Sequence, residues 1–175
     1  ITGGDVVIDR CRPEHMEPLL MKLRESGAEL IEEKERIRLK VTGRLKGTNV
    51  RTSPHPGCPT DMQAQFVALM ATAEGTSVVT ETIFESRFMH VEELCRMGAD
   101  IRVEGNRVVI TGKERLTGAP VMASDLRASA GLIVAGLAAE GTTEVSRVYH
   151  LDRGYERLEE KFRALGASVE RRKGK

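Results

Sequence analysis

Three arginines and two aspartates stand at turns that recur along the chain, and their spacing is the first sign of chemistry. Asp61 follows Pro59-Thr60, and Asp125 follows Ser124, 64 positions later. Arg87 ends Glu85-Ser86-Arg87, and Arg153 ends Leu151-Asp152-Arg153, 66 positions later. Arg127 lies just beyond Asp125. Each turn sits where an apolar helix is expected to begin or where a strand gives way to a helix. Guanidinium groups and the free N–H groups of a helix start bind phosphate and carboxylate. A carboxylate among them can accept a proton or hold sugar hydroxyls. The same residues also have ordinary uses, Asp61 and Asp125 as helix-start residues and the arginines in surface ion pairs. Residue type alone leaves both uses open.

A long repeat must position these turns. The segments LRESGAELIEEKER (23–36), LCRMGADIRVEG (94–105) and FRALGASVER (162–171) share a Gly-Ala step at Gly27, Gly98 and Gly166, about every seventy positions. Glu74-Gly75-Thr76 recurs as Glu140-Gly141-Thr142, and only Gly3-Gly4 stands at the matching place in the first copy. A repeat of this length is a supersecondary unit that needs neighbours to bury its faces. The expected unit is helix, strand, helix, then a strand or strand pair.

In the second copy this predicts a helix N-capped by Thr60 and running to about Ala73, then a strand over 76–82. A helix over 88–97 stopped by Gly98 follows, then a hairpin of 101–103 and 107–111 around Gly105-Asn106. In the third copy it predicts a helix over 125–139 capped by Ser124, a strand over 142–148, a helix over 153–165 and a last strand over 168–171. The first copy reads as a strand near 5–8, a helix over 13–26 with Pro13 in its first turn, and strands near 29–31 and 36–41.

The two helices of a unit differ in kind. Those beginning near Asp61 and Asp125 are apolar nearly all round and belong at a centre. The helix over 153–165 carries Leu158, Phe162 and Leu165 on one face and charges elsewhere, so it should lie against a sheet. The expectation is an α/β arrangement of three repeats about an axis, roughly 1–47, 48–115 and 116–175, with apolar helices inside. The first repeat is short, so the chain is expected to be part of a longer protein. A parallel doubly wound sheet is the competing assembly.

Composition narrows the function. Lys and Arg number 27 against 26 Asp and Glu, so bulk charge gives no reason to expect nucleic acid as a partner. Cys11, Cys58 and Cys95 have neither disulfide-like nor metal-like spacing, which points to a reducing compartment. Cys58 reads as a buried neutral thiol, and His55, His90 and His150 read as loop or packing residues. The four histidines lie far apart, so no metal site is expected. No apolar run approaches the ~18 residues of a membrane span. The basic tail from Arg171 reads as a frayed terminus.

Four segments carry a family resemblance. PHPGCPTDMQAQF (54–66), TETIFESRFMHVEELCRMGA (80–99), ASDLRASAGLIVAGLAAEGTT (123–143) and YHLDRGYERLEEKFRALGA (149–167) closely resemble the UDP-N-acetylglucosamine enolpyruvyl transferases. The resemblance implies two similar domains, each an inside-out α/β barrel of three repeats, this chain matching most of the C-terminal one. It implies transfer of the enolpyruvyl group of phosphoenolpyruvate to the 3′-hydroxyl of UDP-N-acetylglucosamine, the first committed step of peptidoglycan synthesis. A cytoplasmic enzyme needing no metal or organic cofactor is implied.

By the same resemblance, Asp61 is the proton acceptor near the sugar hydroxyl, and Ile83 and Phe84 contact the nucleotide-sugar. Arg87 and Arg153 face phosphoenolpyruvate, and Asp125 and Arg127 organise the site. The N-terminal domain with its reactive cysteine has no counterpart here, since none of the three cysteines matches it, so the chain alone is expected to be inactive. The alternatives are enolpyruvyl transfer to shikimate 3-phosphate, or a three-repeat scaffold that binds without catalysis.

Overall fold

A computed structural model describes residues 1–84 and 87–172. Glu85 and Ser86 of the expected strand-to-helix turn, and residues 173–175 of the basic tail, lie outside the described residues.

In chain order the elements are β1 (Gly4–Asp9), a 3₁₀ turn (Pro13–His15), α1 (Glu17–Glu25), β2 (Glu29–Glu33), β3 (Arg36–Val41) and β4 (Val50–Arg51). A second 3₁₀ turn (Thr60–Met62) leads into α2 (Gln63–Met70), then β5 (Thr76–Thr80), α3 (Met89–Arg96), β6 (Asp100–Glu104) and β7 (Arg107–Thr111). The last part holds β8 (Leu116–Thr117), β9 (Pro120–Met122), α4 (Leu126–Ala138), β10 (Ala139–Glu140), β11 (Glu144–Ser146), a 3₁₀ turn (Val148–Arg153) and α5 (Leu158–Ala164).

The repeated phrases fold alike. Gly27, Gly98 and Gly166 all take positive φ, at +96°, +87° and +93°. After each, the Ala N–H bonds back to the carbonyl five residues earlier: Ala28 to Leu23, Ala99 to Leu94, Ala167 to Phe162. These are three copies of one Schellman helix stop, for which glycine is the residue without steric cost.

The strands repeat too. β1-β3-β2 and β5-β7-β6 have the same order, and both are antiparallel throughout. β4 runs parallel to β5 with α2 between them in the chain, and β9 runs parallel to β11 with α4 between them. The sheets are open: none of the described strands closes a barrel.

The core lies where α2 and α4 meet. Phe66, Val67, Met70 and Leu132 are buried there, joined by Val79, Leu94, Met97, Ile110 and Leu116. Burying such side chains contributes roughly 1.5–3 kcal/mol each. Contact between the two helices depends on Gly131, where an added Cβ would stand 2.9 Å from the Ala64 carbonyl oxygen. The burial is tighter around α2 than around α4, whose Ile133, Val134 and Leu137 are only half-buried.

Several expectations change at the ends of helices. Ser124 is not the cap of α4; Asp125 is, because its carboxylate accepts from the N–H groups of Arg127 and Ala128 at 2.8 and 3.0 Å. Thr60 caps nothing, since its hydroxyl is engaged elsewhere and the helix is entered through the 3₁₀ turn. The helix expected over 153–165 is broken. Arg157 takes φ +45° before α5 begins. Gly154 sits so close to α4 that a Cβ would be 3.0 Å from a Leu126 methyl.

α5 buries none of its residues, and Leu165 beyond it is exposed. No strand forms over 168–171. β2 and β6, which follow the other two Schellman stops, pair with the next strand, and no such strand follows among the described residues.

Candidate functional site

Asp61 lies in the 3₁₀ turn ahead of α2, so its carboxylate is not consumed as a cap. Its Oδ1 is 2.8 Å from Nη2 of Arg127 and 3.5 Å from Nη1 of Arg87. The side chain keeps 55% exposure, so an acceptor flanked by two cations faces solvent. The hydrogen-bonded Asp61 carboxylate also raises the pKa of Arg127, holding that group firmly charged.

Arg87 is held from three sides. Its Nη1 donates to the Thr60 hydroxyl at 2.8 Å, Asp61 lies beside it, and its guanidinium carbon stands 4.5 Å from the centre of the Phe84 ring. Such stacking leaves the guanidinium edge available for a planar anion. Ile83 and Phe84 lie exposed at the end of the segment after β5. Their N–H groups both donate to Oε1 of Glu81, at 2.8 and 3.2 Å.

Asp125 differs from Asp61. Its carboxylate is turned to its own helix, and its backbone carbonyl also accepts from the Ser129 hydroxyl. Arg127, two residues on, carries the link from α4 to Asp61.

Arg153 ends the third 3₁₀ turn and forms no ion pair among the described residues. Its neighbourhood reaches the same end of the molecule: Gly154 touches Leu126, and the Tyr155 hydroxyl accepts from Nε2 of Gln65 at 3.2 Å. Three of the four turns are thus joined by side-chain contacts through Asp61, and the fourth by packing. Asp152 is otherwise engaged, in a pair of hydrogen bonds at 2.5 and 2.7 Å with Arg171 of the expected frayed tail.

Two other titratable groups, His90 and Cys58, are buried. His90 is buried on α3, and desolvation pulls its pKa down to about 4, opposed by the nearby negative charge of Asp125. Cys58 is buried, and desolvation pushes its thiol up, away from the reactive thiolate. No group of His, Cys, Asp and Glu suited to a metal ion occurs among the described residues. No helix among them is long and apolar enough to cross a membrane.

The profile of the EPSP synthase (3-phosphoshikimate 1-carboxyvinyltransferase) family matches residues 1–162. The chain belongs to that family.

Among curated family members, a protein from Myxococcus xanthus named UDP-N-acetylglucosamine 1-carboxyvinyltransferase is 60% identical over 173 residues. That alignment covers 99% of this chain and 41% of the relative. A protein of the same name from Zymomonas mobilis is 59% identical over 171 residues, covering 98% of this chain and 40% of the relative. The chain therefore spans about two fifths of the length of the curated relatives it matches.

Among solved structures, the enolpyruvyl transferase NikO from Streptomyces tendae superposes with a TM-score of 0.85 at 27% identity, over 94% of this chain and 39% of that one. EPSP synthase from Acinetobacter baumannii shares the fold, with a TM-score of 0.73 at 20% identity over 98% of this chain and 41% of that one.

Sequence reasoning missed one residue of this site. Glu81 is 1% exposed, yet four donors converge on its carboxylate. The signal was present: Ser77, Val79 and Glu81 alternate along β5 and its extension, and all three are buried. A carboxylate on the inward face of a strand needs donors around it.

Proposed function

We propose that the longer protein to which this chain belongs transfers the enolpyruvyl group of phosphoenolpyruvate to the 3′-hydroxyl of UDP-N-acetylglucosamine and releases phosphate, in the cytoplasmic committing step of peptidoglycan synthesis. The chain supplies most of the C-terminal domain, an inside-out α/β barrel of three repeats over roughly 1–47, 48–115 and 116–175. The recurring Schellman stops, strand orders and β–helix–β pairings support that reading. The N-terminal domain is the partner that completes the cleft, so the chain alone does not turn over.

The observation that carries the reaction is the half-exposed Asp61 carboxylate between Arg127 and Arg87. Asp61 takes the proton of the sugar hydroxyl as its oxygen adds to C2 of phosphoenolpyruvate and C3 is protonated. Loss of phosphate and of a C3 proton then restores the C2–C3 double bond and leaves the new enol ether. Arg87 and Arg153 meet the phosphate and carboxylate of phosphoenolpyruvate, and their fixed charge favours the tetrahedral adduct. Ile83 and Phe84 receive the nucleotide-sugar, and Asp125 and Arg127 hold the mouth of α4 in place.

The acceptor is assigned from the 60% identity to a relative named for UDP-N-acetylglucosamine. The test is phosphate release by the full-length protein from phosphoenolpyruvate with either UDP-N-acetylglucosamine or shikimate 3-phosphate. Turnover with the nucleotide-sugar alone is expected, and turnover only with shikimate 3-phosphate would overturn the assignment.

A further inference from the structure

We propose that Glu81 is a positioning residue for this site: its carboxylate fixes the direction of two hydroxyl groups and two backbone N–H groups, and through them sets where Arg87 and the Ile83–Phe84 segment stand. The inference deepens the reading above and rests on it.

The geometry is a hub with two branches. On one side, the Thr60 hydroxyl donates to Oε2 of Glu81 at 2.8 Å and accepts from Nη1 of Arg87 at 2.8 Å. On the other, the Thr52 hydroxyl donates to Oε1 at 2.7 Å and accepts from the Thr82 N–H at 2.9 Å. Between them, the Ile83 and Phe84 N–H groups donate to Oε1. The Glu81 backbone is itself anchored, its N–H donating to the Asn106 carbonyl at 2.8 Å.

Only an ionised carboxylate can serve all of these. It has lone pairs and no proton, so each threonine must spend its single hydroxyl proton on Glu81. Each hydroxyl then turns its lone pairs outward, and on the Thr60 branch they meet Arg87. The group stays ionised although it is buried. Desolvation alone would raise its pKa, but the hydrogen bonds from Ile83, Thr52, Thr60 and Phe84 together outweigh burial and lower it.

Glutamine at this position has the same shape and the wrong chemistry. Its amide offers one oxygen and one NH₂, and the NH₂ cannot accept. If the oxygen stays with Ile83, Phe84 and Thr52, the NH₂ faces Thr60 and competes with Arg87 for the hydroxyl oxygen. The reverse orientation strands three donors, so the first is less costly. Arg87 is then released from Thr60, and its grip on an anion beside Asp61 loosens.

The experiment uses the full-length protein with phosphoenolpyruvate and UDP-N-acetylglucosamine, comparing wild type with Glu81→Gln, Thr60→Val, Thr60→Ser and the Glu81→Gln/Thr60→Val pair. Crystal structures of wild type and Glu81→Gln accompany the kinetics. Misplacing a charged group by about 1 Å costs roughly 10²-fold, so Glu81→Gln and Thr60→Val should each lose on the order of 10–10²-fold in kcat/KM for phosphoenolpyruvate. Thr60→Ser should restore activity, and the pair should lose no more than the worse single variant, because both act through Arg87. In the Glu81→Gln crystal, Nη1 of Arg87 should have left the Thr60 hydroxyl.

Wild-type constants for Glu81→Gln, or Thr60→Ser as impaired as Thr60→Val, would overturn the inference. So would an Arg87 that keeps its place in the Glu81→Gln crystal. Absence of wild-type turnover would instead strike the functional reading, and the position of Arg87 in the two crystals would still decide the role of Glu81. Should Glu81→Gln fail to fold, the two Thr60 variants carry the same test.

Discussion

Asp61 and Asp125 occupy equivalent turns, each ahead of an apolar helix, and the structure uses them differently. Asp125 is folded onto its own helix, accepting from two N–H groups. Asp61 precedes its helix by a 3₁₀ turn, so its carboxylate is directed to Arg127 and Arg87 instead. A carboxylate saturated by backbone donors holds a helix start. One left half-exposed among cations can act on a bound molecule. The local backbone, more than the residue type, decides which aspartate is available for chemistry.

The contrast can be broken most forcefully at Asp61. Asp61→Asn in the full-length protein is expected to lose ~10²–10⁴-fold in turnover if the group is a general base. Its stability should hold within ~1 kcal/mol, because an exposed ion pair contributes no more than that.

His90, near Asp125, probes the buried side of the second turn. Its pKa falls to about 4 on folding, so the unfolded chain binds the extra proton first as pH drops. The stability tied to neutral His90 is present above pH ~6.5 and is lost as pH falls towards about 4, on the order of 3 kcal/mol. Urea unfolding from pH 7 to pH 4 should show a shallower decline in His90→Leu than in wild type. Equal slopes would remove His90 from this role.

Asp125→Ala should cost about 1 kcal/mol in the same unfolding assay, the usual loss for an N-cap. Asp125→Asn should recover most of it, since its side-chain oxygen still accepts. The smallest effect belongs to Asp152→Asn, which loosens a surface pair with Arg171 and should cost well under ~1 kcal/mol.

Much of this was legible in the chain. The Gly-Ala steps located all three helix stops, because positive φ at a helix end selects glycine. The apolar character of the helices at Phe66 and Leu132 marked them for the interior; α2 is buried accordingly, whereas α4 buries one face and leaves Ile133, Val134 and Leu137 half-buried. Asp61, Arg87 and Arg127 were grouped by repeat spacing, and their contacts follow.

What was not legible depended on partners remote in sequence. Choosing between Ser124 and Asp125 as cap required knowing where the chain turns. The break before Leu158 comes with a left-handed Arg157 and with Gly154 lying against Leu126, 28 positions away, neither of which the local pattern announces. The role of Glu81 required Thr52 and Thr60 to be folded over it. The repeat order puts a strand over 168–171, but repetition does not supply a pairing edge.

The most direct measurement takes turnover and unfolding free energy together, on Asp61→Asn and Asp125→Ala of the full-length protein. Asp61→Asn should fall by at least ~10²-fold in kcat with stability unmoved, and Asp125→Ala should be the variant that loses stability. Wild-type turnover in Asp61→Asn, with stability lost there instead, would make Asp61 a helix-start residue and contradict the distinction between the two turns.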